Sequence, residues 1–395
     1  MGNEVVIVSG VRTAIGDFGG ALAGIATCEL AAIVAREAIA RSGVPASEIG
    51  QTVFGNVIHT APEDMYLSRV AAIRAGVPET SPALTLNRLC GSGLQAVVTA
   101  AEAILLGNAE ITLAGGAENM SRIGHLMTQA RFGQKMGDVA ATDMMIGALT
   151  DPFGNGHMGM TAENVAKRYG IDRETQDRFA VESHRRAAQA IAEERFKEQI
   201  LPITVKMGRT EAIFHTDEHV RAEATLEDMR KLRPAFDREG SVTAGNASGI
   251  NDGAAALVLM DGALAADRGI VPMGRIVSYG LGGVAPEVMG LGPVPAVRQA
   301  MERAGLSVAD MDVIESNEAF AAQACAVAGD LGFPEEKTNP NGGAVAMGHP
   351  VGASGAILLV KLIYELRRTN GRFGLVTMCI GGGQGIAVIV ENTPE

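Results

Sequence analysis

A chain of 395 residues is longer than one ordinary core organises, so two or more packed units are expected. Hydrophobic residues make up 47% and charged residues 20%, Gly is abundant (50 residues) and aromatics are scarce (4%), which excludes fibrous and disordered chains and fits a backbone approached closely at many points. The net charge of −12 argues against nucleic acid as a partner, because phosphate binding needs clustered Lys and Arg; no apolar run approaches the ~20 residues of a membrane span.

In chain order, VVIVSGVRTAIG (5–16) reads as a strand and has neither the basic nor the apolar region of a signal peptide, so a cytoplasmic location is expected. EAIARSGVPASEI (37–49) reads as an amphipathic helix closed by a Gly C-cap, then an acidic turn, then the strand QTVFGNVI (51–58). A nearly all-apolar helix follows within 87–107, and AEITLAGGAE (109–118) is a buried strand running into glycines. Long polar helices come next, for example over 173–199. Between Asn119 and Ile250 there are 18 Lys+Arg against 19 Asp+Glu, whereas the rest of the chain holds 15 against 26, so an anionic ligand would be received in this middle part. GAAALVLMD (253–261) resumes the strand pattern.

The elements then repeat. GRIVSYGLGGV (274–284) parallels 5–16, QAMERAGLSVADM (299–311) parallels 37–49, DVIESNEAF (312–320) parallels 51–58, and FGLVTMCIGGGQG (373–385) parallels 109–118. Ala38, Arg41 and Gly43 match Ala300, Arg303 and Gly305 at one constant offset. In the second copy the strand ending at Cys379 returns at once as IAVIVE (386–391); in the first copy its counterpart waits until 253–261. The segment between is therefore an insertion. The expected organisation is an N-terminal half of 1–118 plus 251–270, an inserted loop domain of 119–250, and a C-terminal half of 271–395, with mixed sheets covered by helices.

The four cysteines (Cys28, Cys90, Cys325 and Cys379) are far apart, without CxxC spacing or a neighbouring His pair, so reactive thiols are expected and no metal site. Four loops carry candidate chemistry. In NRLCGSGLQAVVTAAEAILLG (87–107), Cys90 precedes a helix whose polar positions, Gln95, Thr99 and Glu102, form one narrow stripe; the positive helix end would lower the thiol pKa. A small buried cysteine is the competing interpretation. In TMCIGGGQGIAV (377–388), Cys379 ends a strand before glycines that either gather N–H groups around an oxyanion or simply make a tight hairpin. In NPNGGAVAMGHPVGASGA (339–356), His349 between Gly348 and Pro350 is mounted as a general base could be. In ESNEAFAAQ (315–323), Asn317 could donate to an oxyanion or cap the next helix.

Taken together, the order Cys, Asn-Glu-Ala-Phe, Gly-His-Pro, Cys-Ile-Gly-Gly-Gly on a duplicated frame resembles the thiolase family, as do GHMGMTAENVA (156–166), KLRPAF (231–236) and TAGNASGIND (243–252). The resemblance covers essentially the whole chain and is nearest to bacterial short-chain acetyl-CoA acetyltransferases and beta-ketothiolases. It implies an α/β fold of two βαβαβαββ halves in a layered αβαβα arrangement with an inserted loop domain. It also implies reversible Claisen condensation of acyl-CoA, or thiolysis of a short-chain 3-ketoacyl-CoA, by a ping-pong route. Cys90 would carry the acyl group, Cys379 would be the acid/base at the substrate alpha carbon, and His349 would activate the nucleophile. His349 would also bind a thioester oxygen with a water held by Asn317, while the N–H groups of Cys90 and Gly381 would form a second oxyanion hole. For coenzyme A the matching positions are Arg221, Ser248, Phe236, Ala244, His157 and Met158, with Phe320 and Met289 at the acyl end. Ser316 departs from the Ala found in many relatives. The resemblance further implies no cofactor, since coenzyme A and acyl-CoA are substrates, and a homotetramer with contacts from the segment around 120–140. A decarboxylating ketoacyl synthase would use histidines where Cys379 stands.

Overall fold

The computed structural model describes residues 4–393. Its main elements are β1 (Val5–Arg12), α1 (Thr27–Ser42), β2 (Gln51–Gly55), β3 (Ala83–Leu86), α2 (Ser92–Leu105), β4 (Ile111–Asn119), α3 (Met158–Tyr169), α4 (Arg173–Ala192), β5 (Asn251–Asp261), β6 (Gly274–Gly283), α5 (Pro293–Ala304), β7 (Val313–Ser316), α6 (Ala321–Leu331), α7 (Val351–Thr369), β8 (Phe373–Ile380) and β9 (Gln384–Glu391).

The strands form one hydrogen-bonded sheet in the order β7-β8-β9-β6-β1-β5-β4-β2-β3, with the short Gly16–Asp17 strand added on β5. The first strands of the two copies meet at the seam, where Val6 pairs with Arg275 and Ile7 with Gly274. Outward from this seam both copies run the same way. β1-β5-β4-β2 and β6-β9-β8-β7 are each joined by two antiparallel ladders and then a parallel one. The internal repeat of the sequence is thus a repeat of strand pairing, and β3 is an extra strand on the first copy. Gly43 and Gly305 end α1 and α5 in the left-handed region, at φ 69° and 65°, where a side chain would be strained.

Helix α7 touches β4 and β5 of one half and β7 and β8 of the other, and α2 packs beside it on β2 and β4. The two halves therefore face each other across α2 and α7, while α1 covers the outside of the first half and α5 that of the second. These five layers constitute the αβαβα arrangement. The central helices cross closely because a Cβ on Gly93 would sit 2.8 Å from the Ala356 backbone nitrogen. Helix α2 is buried except for Gln95, Thr99, Glu102 and Leu105, so the polar stripe legible in its sequence is its one wetter side.

Four expected elements end early; among them, the strand expected over 5–16 stops at Arg12 and that over 312–320 at Ser316. The strand expected over 51–58 stops at Gly55, because the N–H groups of Val57 and Ile58 turn to the buried Glu118 carboxylate. The helix expected over 173–199 stops at Ala192. Glu194 there takes φ 55°, which swings Phe196 inward beneath the Arg12 guanidinium. The segment between β4 and β5 is tied to the frame by buried polar contacts. Asp217 pairs with Arg12 through both carboxylate oxygens, at 2.8 and 3.1 Å, and the Ser248 N–H donates to the Ala319 carbonyl.

Candidate active site

The turn before α2 presents Cys90. Leu89 holds φ 48°, unusual for a side chain of its size and costing about 1–3 kcal/mol. Short bonds on both sides hold it there. Ser92 Oγ accepts the Arg88 N–H at 2.8 Å and donates to the Leu89 carbonyl at 2.7 Å, and Asn87 Oδ1 accepts the Leu89 N–H at 2.8 Å. Cys90 is half-buried, and the backbone N–H groups of Gly381 and of Cys90 itself are directed at its sulfur.

The expected lowering of the Cys90 pKa does not occur. Burial pushes the thiol up to about 11, and the negative charge of Glu118 adds to the rise; the two N–H donors offset only part of it. The end of α2 lies packed inside the molecule, so the loss of hydration of a thiolate outweighs the helix dipole. Cys90 rests as a thiol.

His349 occupies the equivalent turn before α7. Gly348 takes φ 103°, and a Cβ there would run into the Asn251 side chain, whose Oδ1 accepts the His349 N–H at 3.0 Å. The imidazole Nδ1 lies 2.6 Å from Ser354 Oγ, which in turn donates to the Pro350 carbonyl at 2.9 Å. Because that hydroxyl proton is committed, Nδ1 carries the imidazole proton and Nε2 is left with its lone pair. Nε2 faces Asn317 Nδ2 at 3.4 Å. Burial lowers the His349 pKa to about 4, which keeps the ring neutral and able to accept a proton.

Cys379 is buried near the end of β8, opposite Gly385 of β9. Burial raises its thiol pKa well above the ordinary range, and Cys90 raises it further, as two nearby thiolates would repel. Asn317 follows β7 directly and is held by its N–H on the Thr377 carbonyl. Its Oδ1 is buried and without a hydrogen-bond partner among the described residues. The neighbouring Ser316 has its backbone clamped on both sides by Asn339, at 2.9 and 2.8 Å.

Cys90, His349, Cys379 and Gly381 open onto one cavity of about 470 Å³. The same walls include Met158, Met289 and Phe320, and, farther out, Arg221, Ser248, Ala244, His157 and Phe236. Of the positions matched to catalysis and coenzyme A, all except Asn317 thus line this cavity, and Asn317 stands behind it against His349. His157 and Phe236 stack at 4.7 Å with 17° between their planes, and Phe320 meets Phe236 edge-on at 6.2 Å. Arg221 is exposed and is the one Lys or Arg among the wall residues. Its guanidinium forms no ion pair among the described residues.

Several site residues have no local signal of their role, although Asn251 lies within the quoted stretch 243–252 and Glu118 within 109–118. Asn251 meets His349 across 98 positions, and Glu118 reaches Gly352 across 234. Phe18, Leu149 and His219 complete the walls from distant segments. Only Ser354 could have been found, as a hydroxyl in the helical turn that follows His349.

The chain belongs to the thiolase family. Residues 5–263 match the thiolase N-terminal domain and residues 270–392 the thiolase C-terminal domain. It is 59% identical over 393 residues to beta-ketothiolase BktB of Cupriavidus necator, covering 99% of this chain and 100% of that protein. It is 50% identical over 397 residues to an acetyl-CoA acetyltransferase of Syntrophomonas wolfei, with 99% and 100% covered. The fold superposes on human mitochondrial 3-ketoacyl-CoA thiolase with a TM-score of 0.97 at 41% identity, and on the structure of human mitochondrial 3-ketoacyl-CoA thiolase in complex with CoA with 0.96, each covering 99% of both chains in the first case and 99% and 98% in the second. The protein is an acyltransferase that makes or breaks a carbon–carbon bond beside a thioester.

Proposed function

We propose that this acyltransferase joins two acetyl-CoA into acetoacetyl-CoA, and cleaves short-chain 3-ketoacyl-CoA in reverse, through an acyl-Cys90 intermediate. The carrying observation is the convergence of two thiols and a neutral histidine on one cavity. In synthesis the Cys90 sulfur attacks the thioester carbonyl while its proton passes to His349 Nε2, and coenzyme A leaves as the thiol. The departing coenzyme A sulfur takes the proton of Cys379, whose thiolate then removes a methyl proton from a second acetyl-CoA. The carbanion displaces Cys90 from the acyl group, and Cys90 regains its proton from His349. Negative charge developing on oxygen is met by the N–H groups of Cys90 and Gly381 in one position and by His349 with Asn317 in the other; such a donor is worth about 10²–10³ in rate. No cofactor enters these steps.

Coenzyme A is assigned to the wall of Arg221, Ser248, Ala244, His157, Phe236 and Met158, with the acyl group toward Phe320 and Met289. Supporting this are the Arg221 guanidinium, without an ion pair among the described residues, which suits phosphate, and the stacked aromatic pair, which suits an uncharged arm. The four unpaired cysteines suit the reducing cytoplasm. A homotetramer is proposed from the segment 121–141, where Leu126, Met127, Phe132, Met136 and Val139 expose apolar side chains; light scattering that shows a dimer, unchanged when this segment is deleted, would overturn it. The catalytic reading is tested by intact mass and peptide mapping after brief incubation with acetoacetyl-CoA and an acid quench. One acetyl increment on the Cys90 peptide is expected. Folded protein that gains none, from this or longer 3-ketoacyl-CoAs, would refute it.

A further inference from the structure

The strand registers allow the two copies to be compared position by position at the site. In the second copy, Ser316 ends β7 opposite Thr377; in the first, Gly55 ends β2 opposite Gly116. One residue past these strand ends stand Asn317 and Asn56. Two residues past Thr377 and Gly116 stand Cys379 and Glu118. In the first copy, then, Asn56 holds the place of Asn317 and Glu118 the place of Cys379.

The first-copy pair is fully buried and bonded to itself: Asn56 Nδ2 lies 3.0 Å from Glu118 Oε1 and 3.0 Å from the Ala117 carbonyl. Glu118 has no cationic partner among the described residues. Its carboxylate instead accepts three backbone N–H groups, from Val57 at 2.9 Å, Ile58 at 3.1 Å and Gly352 at 2.9 Å. Val57 and Ile58 belong to the cavity wall, and Gly352 lies three residues past His349 in the first turn of α7. A Cβ on Gly352 would collide with Glu118 Oε2, so the helix is drawn down onto the carboxylate. Burial pushes Glu118 up to about 8 against the pull of those three donors. A group so costly to bury is retained where removing it would strand several N–H groups together.

We propose that Glu118, held by Asn56, is a positioning residue: it fastens the first turn of α7, and with it His349, to the cavity wall beside Cys90. The first copy thereby uses the places of Asn317 and Cys379 for anchoring, while the second uses them for proton transfer and oxyanion binding. The inference rests on the reading of Cys90 as the acylated nucleophile and His349 as its base. The substrate never touches Glu118; its effect is on how often His349 and Cys90 meet correctly.

The test is single-turnover acetylation by acetoacetyl-CoA, followed by quench and mass spectrometry, in the wild type, Glu118→Gln and Asn56→Ala. The amide of Glu118→Gln keeps the shape but offers one acceptor oxygen to donors that now use two. The final extent should stay at one acetyl per chain. The acetylation rate per titratable Cys90 should fall about tenfold to a hundredfold in Glu118→Gln, as expected for a small misplacement of reacting groups, and less in Asn56→Ala, with KM for coenzyme A within about threefold of wild type. A merely structural role would reduce the titratable fraction and leave the rate per site unchanged. Either variant, once folded, acetylating at the wild-type rate per site would overturn the proposal; if one does not fold, the other decides it. Failure of the wild type itself to acetylate would instead remove the underlying assignment of Cys90.

Discussion

Cys90 and His349 stand at equivalent places in the two copies. Each lies two residues ahead of a central helix, which begins at Ser92 in one case and at Val351 in the other. Since α2 and α7 pack side by side, the duplicated turn delivers the Cys90 thiol from one copy and the His349 imidazole from the other to a common cavity. Both helix ends also bring positive potential to that cavity. Burial leaves the thiol protonated and the imidazole neutral, so the proton has a donor and an acceptor before substrate arrives.

The protonation state of His349 gives a pH prediction. Its folded value of about 4 lies below the ordinary 6.5, so the stability it contributes is fully present above 6.5 and is lost as pH falls through 4. Long-range ¹⁵N NMR should show a neutral ring protonated at Nδ1 from pH 8 down to about 5. A titration midpoint near 6.5 would contradict this.

Ser354→Ala removes the partner that fixes this tautomer. Loss of about 1–1.5 kcal/mol for a buried hydrogen bond corresponds to a fall in kcat of about tenfold, with KM little changed. Steady-state thiolysis measures it, and an unchanged kcat would show that the ring is oriented by something else.

The two cysteines should separate in a labelling experiment. Cys90→Ala should form no acyl-enzyme. Cys379→Ala should still acylate at Cys90 while exchange of the acetyl-CoA methyl protons with deuterated water slows by about 10²–10⁴. Normal exchange in Cys379→Ala would move the base elsewhere.

Gly159→Ala probes the assigned coenzyme A wall. A Cβ at this position would penetrate the Phe236 ring, and the ring is stacked on His157, so the pair must shift. The expected result is a KM for coenzyme A raised about tenfold, equivalent to ~1.4 kcal/mol of binding, with kcat retained. A raised KM should appear equally in both reaction directions.

Asp217→Asn tests how the inserted segment is held. Arg12 and Asp217 are both buried, and breaking such a pair from one side costs about 3–5 kcal/mol because the remaining charge is left unpaired. Urea unfolding should show that loss; a change under about 1 kcal/mol would mean that water or Gln199, which also bonds Arg12, compensates.

Much of this protein could be read from short stretches of sequence. The duplication, the Gly caps at Gly43 and Gly305, the apolar α2 with its polar stripe, and the four chemical loops are each written within about a dozen residues, since caps, turns and helix faces are local. The loops also named the groups that meet at the cavity. The sequence did not indicate how those groups are charged. The Cys90 thiol rises because α2 is buried against α7, an environment assembled from residues more than 250 positions apart. The tautomer of His349 depends on Ser354 and its commitment to Pro350, and the turn of His349 depends on Asn251 and Glu118, reached across 98 and 234 positions. Local backbone chemistry determined which residues stand ready for reaction. Desolvation and long-range hydrogen bonding, which exist only once the two copies close on each other, decided which of them hold protons and which way they face.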